Sequence, residues 1–331
     1  MIQSFSKITF DIKSSISHRL PFEIDHFLRI YSYRLFILND GSLFGIIKIL
    51  LETTKKIIKN WNKTIVFYPE FPFVKYPSYS LYRSCLLNAY RVSRKFSKNT
   101  ILAIKWEDKT FLSCPRELNE MSTNGLKVLN LACKDISKSK VQEVFEKVFQ
   151  YGLKIDPLIY QGKCVVKSNL NAKHDGRVLN CPIQRKLEDD VVYEKLINNV
   201  VKDKNLTIDY RVPVFGAKLI PIVYLKYYPL EKRFGGYSDM VACEVVEPEN
   251  VFTENEVSKI LEFCQLMECD HTELDILRDQ DSGEIYIVDV NITPYALLLS
   301  NRPEASVLEP KSRSKAASKL ADTFSQLFTL S

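Results

Sequence analysis

The segment from residue 273 to residue 294, ELDILRDQDSGEIYIVDVNITP, places acidic residues inside two short apolar runs. The residues Asp-Gln-Asp-Ser-Gly between the runs are typical of a tight hairpin turn. Side chains alternate between the two faces of a strand, so Asp275 and Asp289 lie on the opposite face from their apolar neighbours. A hairpin here therefore predicts that the two carboxylates lie close together, with Asn291 pointing the same way. The apolar side of the two strands consists of Leu274, Ile276, Ile285, Ile287 and Val290.

Two carboxylates and an amide oxygen make a site of hard oxygen ligands, the kind that Mg²⁺ prefers. A single acid on a hairpin is equally typical of a solvent-exposed face, but three cations in the same half of the chain favour a binding site. Lys167 ends the run CVVK, Arg211 lies in DYRVPVF, and Lys226 ends PIVYLK. Cations and acids that alternate with apolar residues in this way can together clamp a polyphosphate and its metal.

The composition predicts an ordinary globular protein with about two domains. The chain has 331 residues, of which 46% are hydrophobic and 26% charged, enough for sizeable cores. The formal charge of +6 comes from 46 basic and 40 acidic residues that are scattered along the chain. Because no long basic tract occurs, phosphate-bearing small molecules fit as partners, and we do not expect nucleic acid.

The eight cysteines show no CxxC pairing, and most lie inside apolar runs. This pattern favours reduced core thiols in a cytoplasmic protein over a disulfide framework or a zinc site. The most apolar window, Leu43 to Leu51, contains Lys48 and is shorter than the roughly 20 residues that cross a bilayer. We therefore expect no membrane span and no membrane partner. The first residues, MIQSFSKITFDIK, also lack the features of a secretory signal.

The amino-terminal part, residues 1–125, is predicted to form an α/β domain with parallel strand pairing, because helical and β-branched runs alternate. The first 35 residues have mixed patterning that predicts no particular element. Basic residues of the second predicted helix, Arg83 among them, are typical of a solvated helix face. The predicted elements are a helix at 42–59, a strand at 63–68, a loop at 70–80, a helix at 81–96 and a strand at 100–106.

Residues 126–331 are predicted to form an α+β domain with a mainly antiparallel sheet and a carboxy-terminal helix. Many short strands follow one another as hairpins, and one helix begins with a capping box, Thr253 with Glu256 three residues on. Strands are predicted at 163–168, 177–183, 207–215, 218–226, 240–247, 272–277 and 284–290. Helices are predicted at 135–149, 190–199, 253–268 and 312–328.

The order of these segments resembles the ATP-grasp superfamily over about residues 126–300. The segments that carry the resemblance are a helix with SKSK, then VVKSNLNAKHDGRV, VVYEKLI, DYRVPVFGAKLIPIVYLK, and finally ELDILRD with IYIVDVNITP. The family implies an ATP site in which lysines and a flexible loop cover the phosphates and a linker strand holds adenine by its backbone. It also implies Mg²⁺ bound by one acid and by an acid-x-Asn pair. By the same resemblance, residues 1–125, with Arg83 among their basic residues, would help to shape the acceptor-substrate side, and residues 126–331 would form the nucleotide-binding catalytic domain.

Carried over position by position, the resemblance assigns roles to residues of this chain. Lys138, with Lys140 as an alternative, and Lys167 would bind the phosphates, and residues 168–176, with Lys173 and His174, would form the phosphate loop. Adenine would contact Glu194, Lys195, Leu196 and Ile197. Arg211 and Lys226 would meet the γ-phosphate or the reacting group as catalytic residues. The metal ligands would be Asp275, Asp289 and Asn291, with Asp289 where the family more often has Glu.

The resemblance implies an ATP- and Mg²⁺-dependent ligase that activates a carboxylate as an acylphosphate for attack by an amine, which gives an amide. One alternative is an ATP-grasp-type kinase that phosphorylates a hydroxyl of a sugar or polyol. Another is a nucleotide-binding scaffold without turnover. Amino acids, peptides and uronic-acid sugars or glycans all fit as carboxylate substrates. Phosphate-loop, Rossmann, zincin and serine-hydrolase signatures are absent from the sequence.

Overall fold

The computed structural model describes residues 22–39, 41–72, 79–185, 190–295 and 308–328. The helices in these ranges are α1 (Phe22–Leu38), α2 (Leu43–Asn60), α3 (Ser80–Leu87), α4 (Arg116–Thr123), α5 (Lys138–Phe149), α6 (Glu254–Leu266) and α7 (Pro310–Gln326). The strands are β1 (Thr64–Pro69), β2 (Arg91–Ser93), β3 (Thr100–Trp106), β4 (Val128–Leu129), β5 (Gly162–Ser168), β6 (Arg177–Cys181), β7 (Val191–Lys195), β8 (Leu206–Phe215), β9 (Val223–Pro229), β10 (Ala242–Val246), β11 (His271–Arg278) and β12 (Ile285–Asn291).

The chain forms two compact units. The first comprises residues 1–106, 116–128 and 294–331, and the second comprises residues 107–115 and 129–293. The carboxy-terminal helix α7 thus belongs to the first unit. The assignment of an acceptor domain to residues 1–125 and of a nucleotide-binding domain to residues 126–331 stays a prediction.

The first unit is built on a small sheet in which β1 lies between β2 and β3. Both neighbours pair with β1 in parallel, which confirms the predicted α/β pairing. The middle of β1 is buried, as Ile65 and Phe67 have no exposed surface. Helix α7 packs against α1 and α3, and the Asn88 side chain donates a hydrogen bond to the Ala321 carbonyl at 2.7 Å. These contacts fix the carboxy-terminal helix to its unit.

The predicted helix at 81–96 is wrong in its second half. Helix α3 ends at Leu87, because Ala89 adopts a left-handed backbone conformation with a φ of 57° that a helix cannot contain. The chain then forms the strand β2 along β1. Arg83 is buried against the ring of Tyr33, with the guanidinium 5.5 Å from the ring centre, so it does not belong to a solvated face. Residues 73–78 of the predicted loop lie outside the described residues, as does the segment 1–21.

Two helices of the first unit, α1 and α4, were not predicted. Most of α1 lies within the first 35 residues, whose mixed patterning predicts no element. Helix α4 is short and has few apolar residues, of which Leu118 is fully buried. Within the part of the chain that the structure describes, no helix combines the length and the apolar character that a bilayer crossing requires.

The second unit contains two antiparallel sheets. The larger has the strand order β10-β9-β8-β11-β12, and the smaller has the order β6-β5-β7. Every pairing in both sheets is antiparallel, as predicted. Helices α5 and α6 pack against each other, and α5 packs on β12. The shared core includes Phe145, Phe149, Phe263 and Tyr286, so one face of the larger sheet is dry and the other is free to carry polar groups.

The predicted helix at 190–199 is wrong. Residues Val191–Lys195 form the strand β7, which pairs with β5 so that Val192 lies opposite Lys167 and Glu194 lies opposite Val165. The run VVYEK is rich in β-branched and aromatic residues, and the neighbouring strand decides its conformation. The predicted strand at 218–226 begins only at Val223. A turn precedes it, in which Leu219 pairs back to Phe215.

His271 at the start of β11 makes the second unit sensitive to acid. Its ring is fully buried, and its Nδ1 lies 3.0 Å from the Val214 carbonyl. Burial lowers the pKa of His271 to about 3. An unfolded histidine takes up a proton near pH 6.5, so between pH 6.5 and pH 3 only the unfolded state is charged at this position. The free energy of unfolding should therefore fall with decreasing pH by roughly 1.4 kcal/mol per unit.

We expect His271→Asn to reduce this pH dependence, because an amide that does not titrate replaces the imidazole. The measurement is urea unfolding at pH 7.5 and pH 5.0, followed by far-ultraviolet circular dichroism, since both tryptophans, Trp61 and Trp106, lie in the first unit. The control is His174→Asn in an exposed loop, which should leave the pH dependence unchanged. An identical loss of stability with pH in wild type and His271→Asn would contradict this account.

Candidate functional site

The predicted pair of acids is present in the hairpin of β11 and β12, where Asp275 lies directly opposite Asp289. The register shifts after Asp275, so that Ile276 pairs with Ile287 and one residue of β12 is extra. The Asn291 amide nitrogen lies 3.3 Å from Asp289 Oδ2 and 3.5 Å from Asp275 Oδ2. The structure thus brings together the three side chains that the sequence predicts as metal ligands.

Asp275 is held by two cations from neighbouring strands. Arg211 of β8 donates to Asp275 Oδ2 at 2.8 Å, and Lys226 of β9 donates to Oδ1 at 2.8 Å. Burial alone would raise the pKa of Asp275, but Arg211 and Lys226 outweigh it and hold the pKa at about 2. Asp275 is therefore a charged, fully partnered carboxylate that ties β8, β9 and β11 together.

Glu273 is a member of this network that the sequence did not reveal. Arg211 Nε donates to Glu273 Oε2 at 2.9 Å, and both side chains are buried. The alternation of side chains along a strand could have identified it, because Glu273 and Asp275 are two residues apart on one strand and so share a face.

Asp209 was also missed, and it shares a face with Arg211 for the same reason. It lies opposite Lys226 in the sheet and accepts a hydrogen bond from the Asn199 amide at 2.9 Å. Burial raises the pKa of Asp209 to about 6, against the opposing effect of Lys226. Arg233 packs nearby and donates to the Ile197 carbonyl and to Asn199 Oδ1, both at 2.8 Å. Arg233 thus stabilises the segment that contains Ile197 and Asn199.

Asp289 differs from Asp275 because one of its oxygens has no hydrogen-bond partner among the described residues. Its Oδ1 is buried, and the nearest cation is Lys138, whose Nζ is 3.9 Å away. Burial raises the pKa of Asp289, Asp275 adds to this effect, and Lys138 opposes it. A buried carboxylate oxygen without a donor is costly. A divalent cation at this oxygen would remove the cost, so the site fits such an ion.

The oxygen set here is small for a metal site. Among the described residues, no group of three or more His, Cys, Asp or Glu side chains is arranged to hold a metal ion. Asp275 and Asp289 provide two carboxylates, and the third ligand has to be the amide oxygen of Asn291. Mg²⁺ commonly binds proteins through one or two carboxylates and takes its remaining oxygens from water and phosphate. The set therefore suits Mg²⁺ bound together with a phosphorylated ligand.

The two lysines at the start of α5 have different surroundings, and which of them binds a nucleotide stays a prediction. The Lys138 ammonium donates to the Leu170 carbonyl at 2.8 Å and faces Asp289. Lys140 pairs with Glu143 at 2.8 Å and lies outside the cluster. Burial lowers the pKa of Lys138, and the charge of Asp289 opposes that effect. Of the two lysines, Lys138 is therefore the one that lies beside Asp289.

Lys167 of β5 reaches the same region from the smaller sheet. Its ammonium lies 2.8 Å from Glu194 Oε2 and 3.4 Å from the Val288 carbonyl. The other oxygen of Glu194 accepts a hydrogen bond from the Gln142 amide at 2.7 Å. Glu194 thus positions Lys167 between the two sheets, and its side chain has a role beyond that of a linker residue.

The remaining predicted adenine contacts lie at the end of β7. The Lys195 ammonium hydrogen-bonds the Tyr286 hydroxyl and lies 4.2 Å from the centre of that ring. The backbone N–H of Leu196 donates to the Lys163 carbonyl at 3.3 Å, and the Ile197 carbonyl accepts from Arg233. These backbone groups already have partners, and their contact with adenine stays a prediction.

The loop at 168–176 is tied down at its first half. The Asn169 side-chain oxygen accepts from the Ser139 N–H at 2.9 Å, and its carbonyl accepts from the Lys138 N–H at 3.1 Å. Asn171 donates to Thr110 Oγ1 at 2.9 Å and to the Val290 carbonyl at 3.3 Å. Lys173 and His174 are exposed at the far end of the loop. None of the contacts among the described residues joins Lys173 or His174 to Asp275 or Asp289.

The site thus combines four cations (Lys138, Lys167, Arg211, Lys226) with four acids (Glu194, Glu273, Asp275, Asp289). Among these four acids, Asp289 is the one whose buried Oδ1 accepts no hydrogen bond from a described residue. Buried cations that are held in place by acids are pre-organised to meet a polyanion, because little side-chain freedom remains to be lost on binding. The arrangement can bind a polyphosphate with a divalent cation.

No family model and no curated protein matches this chain. Solved structures to which this chain is similar include the ATP-grasp ligase PsnB and a D-alanine–D-alanine ligase. The ligase PsnB complexed with minimal precursor, Mg and ADP has a TM-score of 0.45 and 13% identity, over 78% of this chain and 97% of that one. The D-alanine–D-alanine ligase from Bacillus anthracis complexed with ATP has a TM-score of 0.43 and 15% identity, over 79% and 94%. In another PsnB complex the identity is 16% and the TM-score 0.38, and the match spans 62% of this chain and 64% of that one, less than two thirds of it.

We expect a larger loss of stability when the charge of Asp275 is removed than when the charge of Asp289 is removed. Asp275→Asn leaves Arg211 and Lys226 buried with too little negative charge, which should cost on the order of 3 kcal/mol. Asp289→Asn removes a carboxylate that burial disfavours, so stability should change by less than about 1 kcal/mol or increase. Urea unfolding followed by far-ultraviolet circular dichroism measures both. Equal destabilisation by the two substitutions would show that Asp289 is paired in solution.

We also expect Asn169→Ala to loosen the loop without unfolding the second unit. The substitution removes the acceptor of the Ser139 N–H, a loss of about 1 kcal/mol that is confined to the loop and the start of α5. Hydrogen exchange of residues 168–176 should become faster, while that of β11 stays the same. The control is Asn180→Ala on an exposed position of β6. Unchanged exchange in the loop of Asn169→Ala would mean that other contacts hold it.

Proposed function

We propose that this protein is an ATP- and Mg²⁺-dependent ligase that activates a carboxylate as an acylphosphate and joins it to an amine as an amide. The observation that carries the proposal is the buried Oδ1 of Asp289, which accepts no hydrogen bond from a described residue, lies beside Asp275 and Asn291 and has the Lys138 ammonium 3.9 Å away. Substrates would be small molecules, peptides or glycans with a carboxylate, together with an amine.

In this proposal Lys138 and Lys167 bind the phosphates of ATP. Both ammonium groups are held by the protein, Lys138 by the Leu170 carbonyl and Lys167 by Glu194. Each would therefore neutralise phosphate charge from a fixed position. The loss of one charge-assisted contact of this kind costs about 1.5–3 kcal/mol of binding free energy.

Asp275, Asp289 and Asn291 would hold Mg²⁺ through their side-chain oxygens. The ion, when bound, supplies positive charge to the oxygens of the reacting phosphate and helps to orient it. Asn291 would have to turn its amide oxygen towards the ion, because its nitrogen now faces both acids. The short side chain of Asp289 leaves room for water to complete the coordination.

Arg211 and Lys226 would stabilise the group that reacts. The carboxylate oxygen of the substrate would attack the γ-phosphorus, ADP would leave, and the amine would then displace phosphate from the acyl carbon. Arg211 and Lys226 present fixed N–H donors on the sheet face beside Asp275. Positioning and electrostatic stabilisation provide most of the catalysis in phosphoryl transfer.

The first test is thermal stabilisation by ATP, with and without Mg²⁺, on the wild type, Asp289→Asn and Lys167→Ala. We expect a shift that needs Mg²⁺ in the wild type, no Mg²⁺ effect in Asp289→Asn and a weaker shift in Lys167→Ala. The control is Lys140→Ala, which lies outside the cluster and should match the wild type. Absence of any ATP effect on the wild type would refute the nucleotide site.

ADP release with a panel of carboxylates and amines then separates the proposed reaction from its alternatives. An amide product formed with free phosphate supports the ligase. A stable phosphorylated sugar or polyol would replace the ligase by a kinase. Binding of ATP without ADP formation for any acceptor would indicate a scaffold.

A further inference from the structure

Helix α2 in the first unit carries a row of large apolar side chains on its outer face. Phe44, Ile58 and Leu43 are 79%, 77% and 74% exposed. The outer stripe, as this row is called here, consists of Leu43, Phe44, Ile47, Leu50, Leu51 and Ile58. Positions 44, 47, 51 and 58 follow the spacing of one helix face. A contiguous exposed apolar surface of this kind marks an interaction site.

The opposite face of α2 accounts for its attachment to the unit. Ile49 and Ile57 are buried there, and Thr53 Oγ1 accepts a hydrogen bond from Arg34 at 2.8 Å. The Asn60 amide donates to the Asn88 carbonyl at 2.7 Å. The helix therefore has one apolar face that builds the core and a second one that stays exposed in the part of the unit that the structure describes.

A row of three exposed lysines runs along one edge of the outer stripe. Lys48, Lys55 and Lys59 are spaced by seven and four residues, which places them on one side of the helix at 100° per residue. Glu52 is the exposed acid of α2 and lies beyond the lysines. Apolar residues flanked by lysines on one outward surface are typical of helices that lie in the interface of a membrane.

Charge distinguishes a membrane from a second copy of the chain as the occupant. In an antiparallel pair of α2 helices related by a twofold axis, the same flank of each helix meets, so Lys48, Lys55 and Lys59 would face the same lysines. Like charges in contact oppose this pairing. An anionic surface is complementary to the whole lysine row, and lipid chains accept the outer stripe.

We propose that the outer face of α2 binds the surface of membranes that contain anionic lipids. The helix lies in the plane of the surface, with the outer stripe among the acyl chains and the three lysines at the lipid phosphates. This attachment departs from the expectation that the protein has no membrane partner, because a surface helix needs no apolar run of bilayer length. It is independent of the proposed ligase activity and requires no nucleotide.

The test is co-sedimentation of the full chain with vesicles of phosphatidylcholine that contain 30% phosphatidylglycerol, compared with pure phosphatidylcholine. We expect binding to the anionic vesicles that weakens with salt, and at least tenfold weaker binding to neutral ones. The variant Lys48→Glu/Lys55→Glu/Lys59→Glu should lose about a hundredfold in partitioning, since each lysine near an anionic surface contributes about fivefold. The variant Phe44→Ser/Leu51→Ser/Ile58→Ser should also lose binding, because it removes apolar surface without changing charge.

The matched control is Lys202→Glu/Lys204→Glu/Lys218→Glu, which changes the net charge equally at exposed positions of the second unit. It should bind anionic vesicles nearly as well as the wild type. Melting curves check that each variant is folded, and the exposure of all the substituted side chains favours this. No sedimentation of the folded wild type with anionic vesicles overturns the proposal. A dimer in analytical ultracentrifugation that the serine variant abolishes, without vesicle binding, overturns it in favour of a second copy.

Discussion

The pairing of Asp275 with Arg211 and Lys226 is the interaction on which the rest of the site depends. Two buried cations, from β8 and β9, meet the partly buried carboxylate of β11 at hydrogen-bond distances. None of them is tolerable in a protein interior without the others, because desolvation of a lone charge costs several kcal/mol. The pairing therefore fixes the side chains of three adjacent strands and sets the positions at which every other polar group of the sheet face is presented.

One consequence is the difference between two acids that are chemically the same. Asp275 has two cations in contact, and its pKa is held at about 2. Asp289, directly opposite, keeps a buried oxygen without a donor, and its pKa is raised. Arg211 and Lys226 donate their hydrogen bonds to Asp275. The charges of Lys138, Lys167 and Arg211 lower the pKa of Asp289 but do not outweigh the effect of burial. The fold thus creates a place for one further positive charge at a position bordered by Lys138 and Lys167.

The carboxylate pair could be predicted from the sequence because the signal is local. Alternation along two strands and a turn between them determine that Asp275 and Asp289 share a face. The preference for Lys138 over Lys140 came only from the family resemblance, because the direction in which each side chain points depends on how α5 is rotated against the sheet. Glu273 was overlooked although its spacing from Asp275 placed it on the same face. The strand at 191–195 was mistaken for a helix because its conformation is set by pairing with β5, a partner distant in sequence.

The position of a bound metal ion tests most directly whether Asp289 is a metal ligand. Crystals grown with Mn²⁺ and a non-hydrolysable ATP analogue would locate the ion by its anomalous scattering. We expect an anomalous peak at bonding distance, about 2.1–2.2 Å, from Asp289 Oδ1, with Lys138 and Lys167 in contact with the phosphates. A peak elsewhere, or an Asp289 carboxylate in direct contact with Lys138 and without metal, would contradict it.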